Sequence, residues 1–251
     1  MIKLSTEKWS VENIETVLFD KDGTFIDLHF FWGKMTQLRA LELIKIFNLK
    51  DNDFEKLCLI LGYDIKSKKM LSNGITALYS RIKIIEILKN KLEELGVNTS
   101  IQELENIFDR VSEVFYKNIE KYTKPIPEAI KFIKELRKKG IKIGIVTSDS
   151  VKSTNLTLKQ YNWENLFDVV IGRESSEHTK ESGEPTKLAL KLLNADPKTT
   201  LMIGDAPMDY VSAKNAGIEN VILVATGQID TTSLQYICNK TCEDLMKIKI
   251  S

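Results

Sequence analysis

The sequence predicts an α/β protein, a parallel sheet with helices on both faces, interrupted after its first strand by an all-helical segment. Three observations carry this reading. Short apolar runs at 16–19, 141–146, 169–171, 200–203 and 221–224 have the length and continuity of buried strands. Helical patterns at about 151–161, 185–193 and 209–216 fall between or after them, at the spacing of right-handed crossovers onto a parallel sheet. Between residue 26 and about residue 122 no such run occurs, and apolar residues recur instead every three or four positions. A 251-residue chain with 43% hydrophobic residues can bury one substantial core and a second, smaller one. We therefore expect a core of residues 1–25 and 123–251 and an inserted domain of residues 26–122.

Charge and cysteine content exclude several classes. Lys plus Arg total 36 against 35 for Asp plus Glu, a formal net charge of +1, which gives no reason to expect a nucleic-acid partner. Cys58, Cys238 and Cys242 form no disulfide framework, and no apolar run has membrane length. A reducing cytoplasm is the simplest compartment. Cys238 and Cys242, four apart but without neighbouring ligands, read as packing rather than zinc.

Taken in order, residues 1–13 read as an exposed lead-in that can pack Trp9 on the body. The run 16–19 ends in Asp20-Lys21-Asp22-Gly23-Thr24, two carboxylates spaced i, i+2 where a parallel strand leaves its sheet. Asp-Gly is equally an ordinary turn signal, and the stretch alone does not decide between the two. The insert contributes helical patterns over 31–47, 54–61, 75–95 and 101–119, the last opened by Ser100 with Glu103 three residues on, a capping-box pattern. Its two connections both join the body beside the paired aspartates, which places the insert to serve as a lid. Pro125-Ile126-Pro127 ends it, and an amphipathic helix through Ala129, Ile130, Phe132, Ile133 and Leu136 stops at Gly140. The basic residues of that helix read as its solvated face.

Later strand ends deliver further polar groups: Thr147-Ser148-Asp149 after the second, and Gly204-Asp205 with Asp209 after the fourth. The loop between the third and fourth strands carries Lys180. Ligands of open α/β sheets bind outside the carboxyl ends of the strands, so these termini converge on one edge.

Together, Asp20-Lys21-Asp22-Gly23-Thr24, Thr147, Lys180 and Gly204-Asp205 with Asp209 resemble the four ordered motifs of the haloacid dehalogenase (HAD) superfamily. The nearest shape is its phosphoglycolate phosphatase and beta-phosphoglucomutase group, with a helical cap after the first motif. The resemblance spans Val17 to about Gly227 and implies a Rossmannoid sheet of strand order 5-4-1-2-3. It also implies a Mg2+-dependent phosphomonoesterase acting on a small phosphorylated metabolite. Asp20 would be the nucleophile and Asp22 the proton-transfer group. Asp20, the Asp22 carbonyl and Asp205 would hold Mg2+, with Asp209 either a further ligand or an orienting group for lysine. Thr147, Ser148, Lys180 and amides near Gly23 would grip phosphate. The family often has Lys-Pro-x-Pro where this chain has Lys180-Glu181-Ser182-Gly183, and Lys187, inside the following helix, is the rival to Lys180.

Asp22 speaks against carbon–halogen chemistry, which has no leaving oxygen to protonate. A sugar-phosphate mutase would keep every motif seen here and is the main alternative. A phosphonate hydrolase would need a cap lysine such as Lys34 or Lys45, and a non-catalytic binding protein would be free to lose parts of the set. Among insert residues, His29 and Trp32 are candidates for substrate contact, each with a packing alternative. Arg39 could meet a second anionic group, its simpler reading being a surface arginine. His178 reads as a rim residue, since an oxygen-rich Mg2+ site does not need it.

Overall fold

The computed structural model describes residues 1–251, in two compact units: Met1–Asp27 with Lys124–Ser251, and Leu28–Thr123. In the first unit, Thr16–Phe19 is buried along its whole length because every residue faces helices or neighbouring strands. It pairs in parallel with Lys142–Val146 on one side (Thr16 opposite Lys142) and with Thr200–Gly204 on the other (Thr16 opposite Thr200). Val169–Ile171 and Asn220–Val224 continue the sheet outward. Numbering these five strands by sequence gives the order 5-4-1-2-3, as expected.

Two features extend that plan. Thr241–Cys242 adds a sixth parallel strand beside Asn220–Val224. Residues 1–13 are not the exposed lead-in read from their polarity: Ile2–Ser5 and Ser10–Ile14 form an antiparallel sheet with Lys249–Ile250. Ile2 and Leu4 alternate with exposed residues, and a register shift at Asn13, which takes φ 60°, brings Val11 and Ile14, three residues apart, opposite them, so that all four are buried. Trp9 does dock on the body, its indole N–H donating to the Thr241 carbonyl at 3.1 Å.

Helices Pro127–Lys138, Val151–Gln160, Glu184–Leu193 and Pro207–Asn215 form the crossovers. Pro127 opens the first at a position where its missing N–H costs nothing, and Ile130, Ile133 and Leu136 face inward. Gly144 lies in the strand beside Leu18, where a Cβ would press on Leu18, Val169 and Leu193, so the core closes over the bare backbone.

The second unit is helical apart from a two-stranded hairpin, Tyr63–Asp64 with Lys69–Met70. Its main helices are Leu28–Phe47, Asp53–Ile60, Arg81–Glu93 and Ile101–Lys117. The pattern expected as one helix over 75–95 is split: Ile75–Leu78 ends at extended Tyr79, and Ser80 restarts the chain by accepting from the Lys83 amide. At the last helix Ser100 accepts from the Glu103 amide at 3.1 Å, while the Glu103 carboxylate takes the Thr99 hydroxyl at 2.7 Å. Leu57, Ile85, Leu88, Leu104 and Phe108 knit these helices into their own core. No helix of the protein is long and apolar enough to cross a membrane.

Candidate active site

The central strand carries its hydrogen bonding one residue past its end, the Asp20 amide donating to Ile203 O at 2.9 Å. The chain then folds back tightly, with the amides of Thr24, Phe25 and Ile26 all directed at Lys21 O. Gly23 takes φ +90°, and a Cβ there would collide with the Asp205 carboxylate. Glycine is therefore required twice over, for conformation and for space. The Gly23 amide, assigned from sequence to phosphate oxygens, donates to Ile26 O at 2.8 Å in the structure. The absence of a side chain at residue 23 lets Asp205 approach the first loop.

Lys180 is 5% exposed and its ammonium lies 2.6 Å from Asp20 Oδ1 and 2.6 Å from Asp209 Oδ1. Lys187, its rival, is exposed and pairs with Glu184. The Lys180–Ser182 turn is held without the prolines usual in the resembling family. Gly183 adopts φ +81° and packs so closely on Asn215 and Ala216 that a Cβ has no room, while the Asn215 side-chain Nδ2 donates to Glu181 O at 2.7 Å. The carboxylate of Asp209 has a second engagement: Oδ2 accepts from the Ala206 amide at 3.0 Å, so the third residue of helix Pro207–Asn215 satisfies the amide that precedes it. It thus couples a helix start to the position of Lys180.

Asp205 sits directly after strand Thr200–Gly204 and is buried between the backbones of Gly23 and Gly227, either of which would clash with it if it carried a Cβ. One oxygen each from Asp20, Asp205 and Asp209 can be chosen so that all lie within 4.8 Å of one another. Burial pushes the Asp20 carboxyl up to about 7, with Lys180 pulling it partly back. Asp205 is raised well above the carboxylate range, by burial first and by Asp20 and Asp209 next. For Lys180, burial opposes the charge, but Asp20 and Asp209 outweigh it and hold the ammonium protonated. Three buried carboxylates against one ammonium leave a deficit of positive charge. A hard divalent cation such as Mg2+ fits this all-oxygen donor set.

The second strand end brings Thr147, buried, with its Oγ1 accepting from the Asp149 amide at 3.1 Å. Ser148 is exposed and its hydroxyl lies 3.4 Å from Met208 Sδ. The structure also shows participants that sequence reasoning left without a role. Lys21 is 0% exposed, with Nζ 2.5 Å from Asp22 Oδ1 and 3.1 Å from Asp149 Oδ2. Burial works against its charge and the two carboxylates more than compensate. The Thr226 hydroxyl donates to Gly23 O at 2.5 Å, bracing the first loop from the end of the fifth strand.

The family model for haloacid dehalogenase-like hydrolases matches residues 14–217. The chain belongs to this family. It is 29% identical over 239 residues to pyrophosphatase PpaX of Bacillus mycoides, covering 94% of this chain and 96% of that one. It is 30% identical over 204 residues to pyrophosphatase PpaX of Bacillus cereus, with 81% and 80% covered. A predicted phosphoglycolate phosphatase from Haemophilus somnus shares the fold at TM-score 0.73 and 17% identity, over 94% of this chain and 96% of that one. A haloacid dehalogenase-like hydrolase from Streptococcus pneumoniae aligns at TM-score 0.61 and 18% identity, over 94% and 96%.

Most of the remaining residues singled out from the sequence lie in the helical unit. His29 Nδ1 accepts from the Met70 amide at 3.1 Å, which ties the long helix to the hairpin and leaves the ring's proton on Nε2. Trp32 packs edge-on against Phe31 with ring centroids 5.5 Å apart. Arg39 is not the surface arginine of the simpler reading: it is buried, its guanidinium 4.1 Å from the centroid of Phe108. Lys34 lies over the Phe30 ring and Lys45 is exposed. His178 is exposed in the Lys180 loop. Cys58, Cys238 and Cys242 are buried free thiols.

Proposed function

We propose that the protein is a Mg2+-dependent phosphomonoester hydrolase that acts on a small phosphorylated metabolite through an aspartyl phosphate on Asp20. The observation that carries this reading is the placement of Lys180 Nζ 2.6 Å from Asp20 Oδ1, with a second, separately held carboxylate, Asp22, two residues on. A carboxylate can attack an anionic phosphate only if the charge between them is offset, and Lys180 supplies a fixed cation at the attacking group. Asp20, the Asp22 carbonyl and Asp205 would hold Mg2+, which when bound supplies the charge still missing and orients phosphate oxygens. Asp209 serves chiefly to position Lys180, since both of its oxygens are already engaged.

Thr147 and the Ser148 amide, with Lys180, grip the remaining phosphate oxygens. The hydroxyl of Thr147 already accepts from the Asp149 amide, so its own proton is available for donation. Asp22 gives a proton to the leaving oxygen as the bond to phosphorus breaks, then takes one from the water that releases phosphate from Asp20. A second reading, hydrolysis of a phosphoanhydride, is favoured by the likeness to two proteins named pyrophosphatase over most of the chain. It uses the same residues with phosphate itself as leaving group.

A panel of phosphorylated metabolites with inorganic pyrophosphate, assayed with Mg2+ for phosphate release and for isomerisation, tests both. Phosphate release that requires Mg2+ and disappears in Asp20→Asn is the expected result. Full turnover in that variant, or isomerisation without release, contradicts the proposal.

A further inference from the structure

Outside the nucleophile and its lysine, one further cluster of buried charge stands beside the chemistry. Lys21 occupies the single position between Asp20 and Asp22, where an apolar side chain would enter the interior without the cost of burying an ammonium. Its Nζ engages Asp22 Oδ1 at 2.5 Å and ion-pairs with Asp149 Oδ2 at 3.1 Å. Asp149 is itself pinned: Oδ1 accepts from the Ser150 amide at 2.7 Å, its own amide donates to Thr147 Oγ1 at 3.1 Å, and its carbonyl accepts from the Arg173 amide at 2.9 Å. Ser150 in turn caps helix Val151–Gln160 through the Ser153 amide at 3.0 Å. The chain of contacts therefore runs from Asp22, through Lys21 and Asp149, to the Thr147–Ser148 loop and the helix behind it.

We propose that Lys21 is a positioning residue, acting with Asp149 to fix the rotation of the Asp22 carboxylate relative to the Thr147–Ser148 loop. Phosphate held at that loop then meets the proton donor at a constant distance from the leaving oxygen. A freely rotating carboxylate two residues from the nucleophile would meet this requirement only part of the time, and small misplacements of a reacting group are costly. Asp149 is the anchor and Lys21 the link. The inference rests on the reading of Asp22 as the group that protonates the leaving oxygen.

That role gives a readout which a merely structural lysine would not move. A good leaving group departs with little help from an acid, whereas a poor one depends on it. The test measures kcat/KM with Mg2+ for a series from p-nitrophenyl phosphate through phenyl phosphate to benzyl phosphate. Wild type, Lys21→Met, Lys21→Gln, Asp149→Asn and Asp22→Asn are compared, with circular dichroism and the thermal midpoint of each. The expected result is a loss in Lys21→Met of about 100-fold on the poorest leaving group and only a few-fold on the nitrophenyl ester. Asp149→Asn should show a smaller loss of the same pattern, and Asp22→Asn the steepest dependence. If Lys21→Met does not fold, Lys21→Gln and Asp149→Asn, which keep polar groups in place, decide the matter. A steep dependence in Asp22→Asn with the wild-type slope in every folded Lys21 variant overturns the role of Lys21 and leaves Asp22 standing. A Lys21 effect without an Asp149 effect removes Asp149 as the anchor. Equal losses on all esters in Asp22→Asn overturn the reading of Asp22, and the inference with it.

Discussion

Two buried lysines each hold a pair of carboxylates near the end of strand Thr16–Phe19, and the two regions differ in how well their charge is balanced. Lys180 reaches Asp20 from 160 residues away and shares its region with Asp209 and Asp205. Lys21 reaches Asp22 from the neighbouring position and is otherwise matched to Asp149. In the first region three acids face one ammonium, and burial drives the Asp20 carboxyl up to about 7. In the second, two acids share one ammonium. The first region has the larger excess of acid over ammonium and is the one whose oxygen donors fit a divalent cation, while the second is the more nearly balanced of the two.

The largest effect expected from breaking this contrast is in Lys180→Met. Removing a fixed donor from the charge that develops in a transition state costs about 100- to 1,000-fold in kcat. We expect that loss on every ester regardless of leaving group, which kcat/KM across an aryl and alkyl series would show. A loss graded by leaving group would place Lys180 in the role argued for Lys21. The same variant leaves buried acids without their partner, so the metal-free protein should lose on the order of 3 kcal/mol of stability by calorimetry.

Gly23→Ala follows. It forces a side chain into the left-handed region and into the Asp205 carboxylate, and should cost about 1–3 kcal/mol in thermal or denaturant unfolding. Because Asp205 must shift, the Mg2+ concentration for half-maximal activity should also rise. An unchanged Mg2+ requirement would separate Asp205 from the metal.

The smallest effect concerns pH. The folded-state value of Asp20 is raised from 3.8 to about 7, so between those values the folded protein holds a proton that the unfolded chain has released. Its contribution to stability is therefore present at low pH and lost as pH rises through about 7. The difference in stability between wild type and Asp20→Asn, both metal-free, should shrink or reverse across that window. Over the same window the thermal shift produced by Mg2+ in the wild type should grow, because binding must displace that proton. A Mg2+ shift that is flat with pH would contradict the elevated Asp20 value.

Much of the sheet was legible because its strands are short, largely apolar runs, as at 16–19, which is buried throughout, and at 169–171, which stays apolar although it forms an edge with only Ile171 fully buried. The pairs Ile2 with Leu4 and Val11 with Ile14 were not, since short strands of a small sheet with one face in water leave about half their residues exposed and resemble a polar lead-in. Lys180 could be placed by counting back from its helix, but nothing in a linear pattern reveals that Lys21 meets Asp149 or that Gly227 makes room for Asp205. Arg39 escaped for a related reason: its charge suggests solvent, whereas in the fold its guanidinium lies over the ring of Phe108.

The central claim is that Asp20 carries the phosphoryl group, and the most direct measurement is acid quenching of turnover with a radiolabelled phosphate substrate and Mg2+, followed by peptide mapping. The account predicts label on the peptide that contains Asp20, absent from Asp20→Asn and accumulating in Asp22→Asn, where hydrolysis of the intermediate is slowed. Label on any other residue, or full turnover with no trapped label in either wild type or Asp22→Asn, would contradict it.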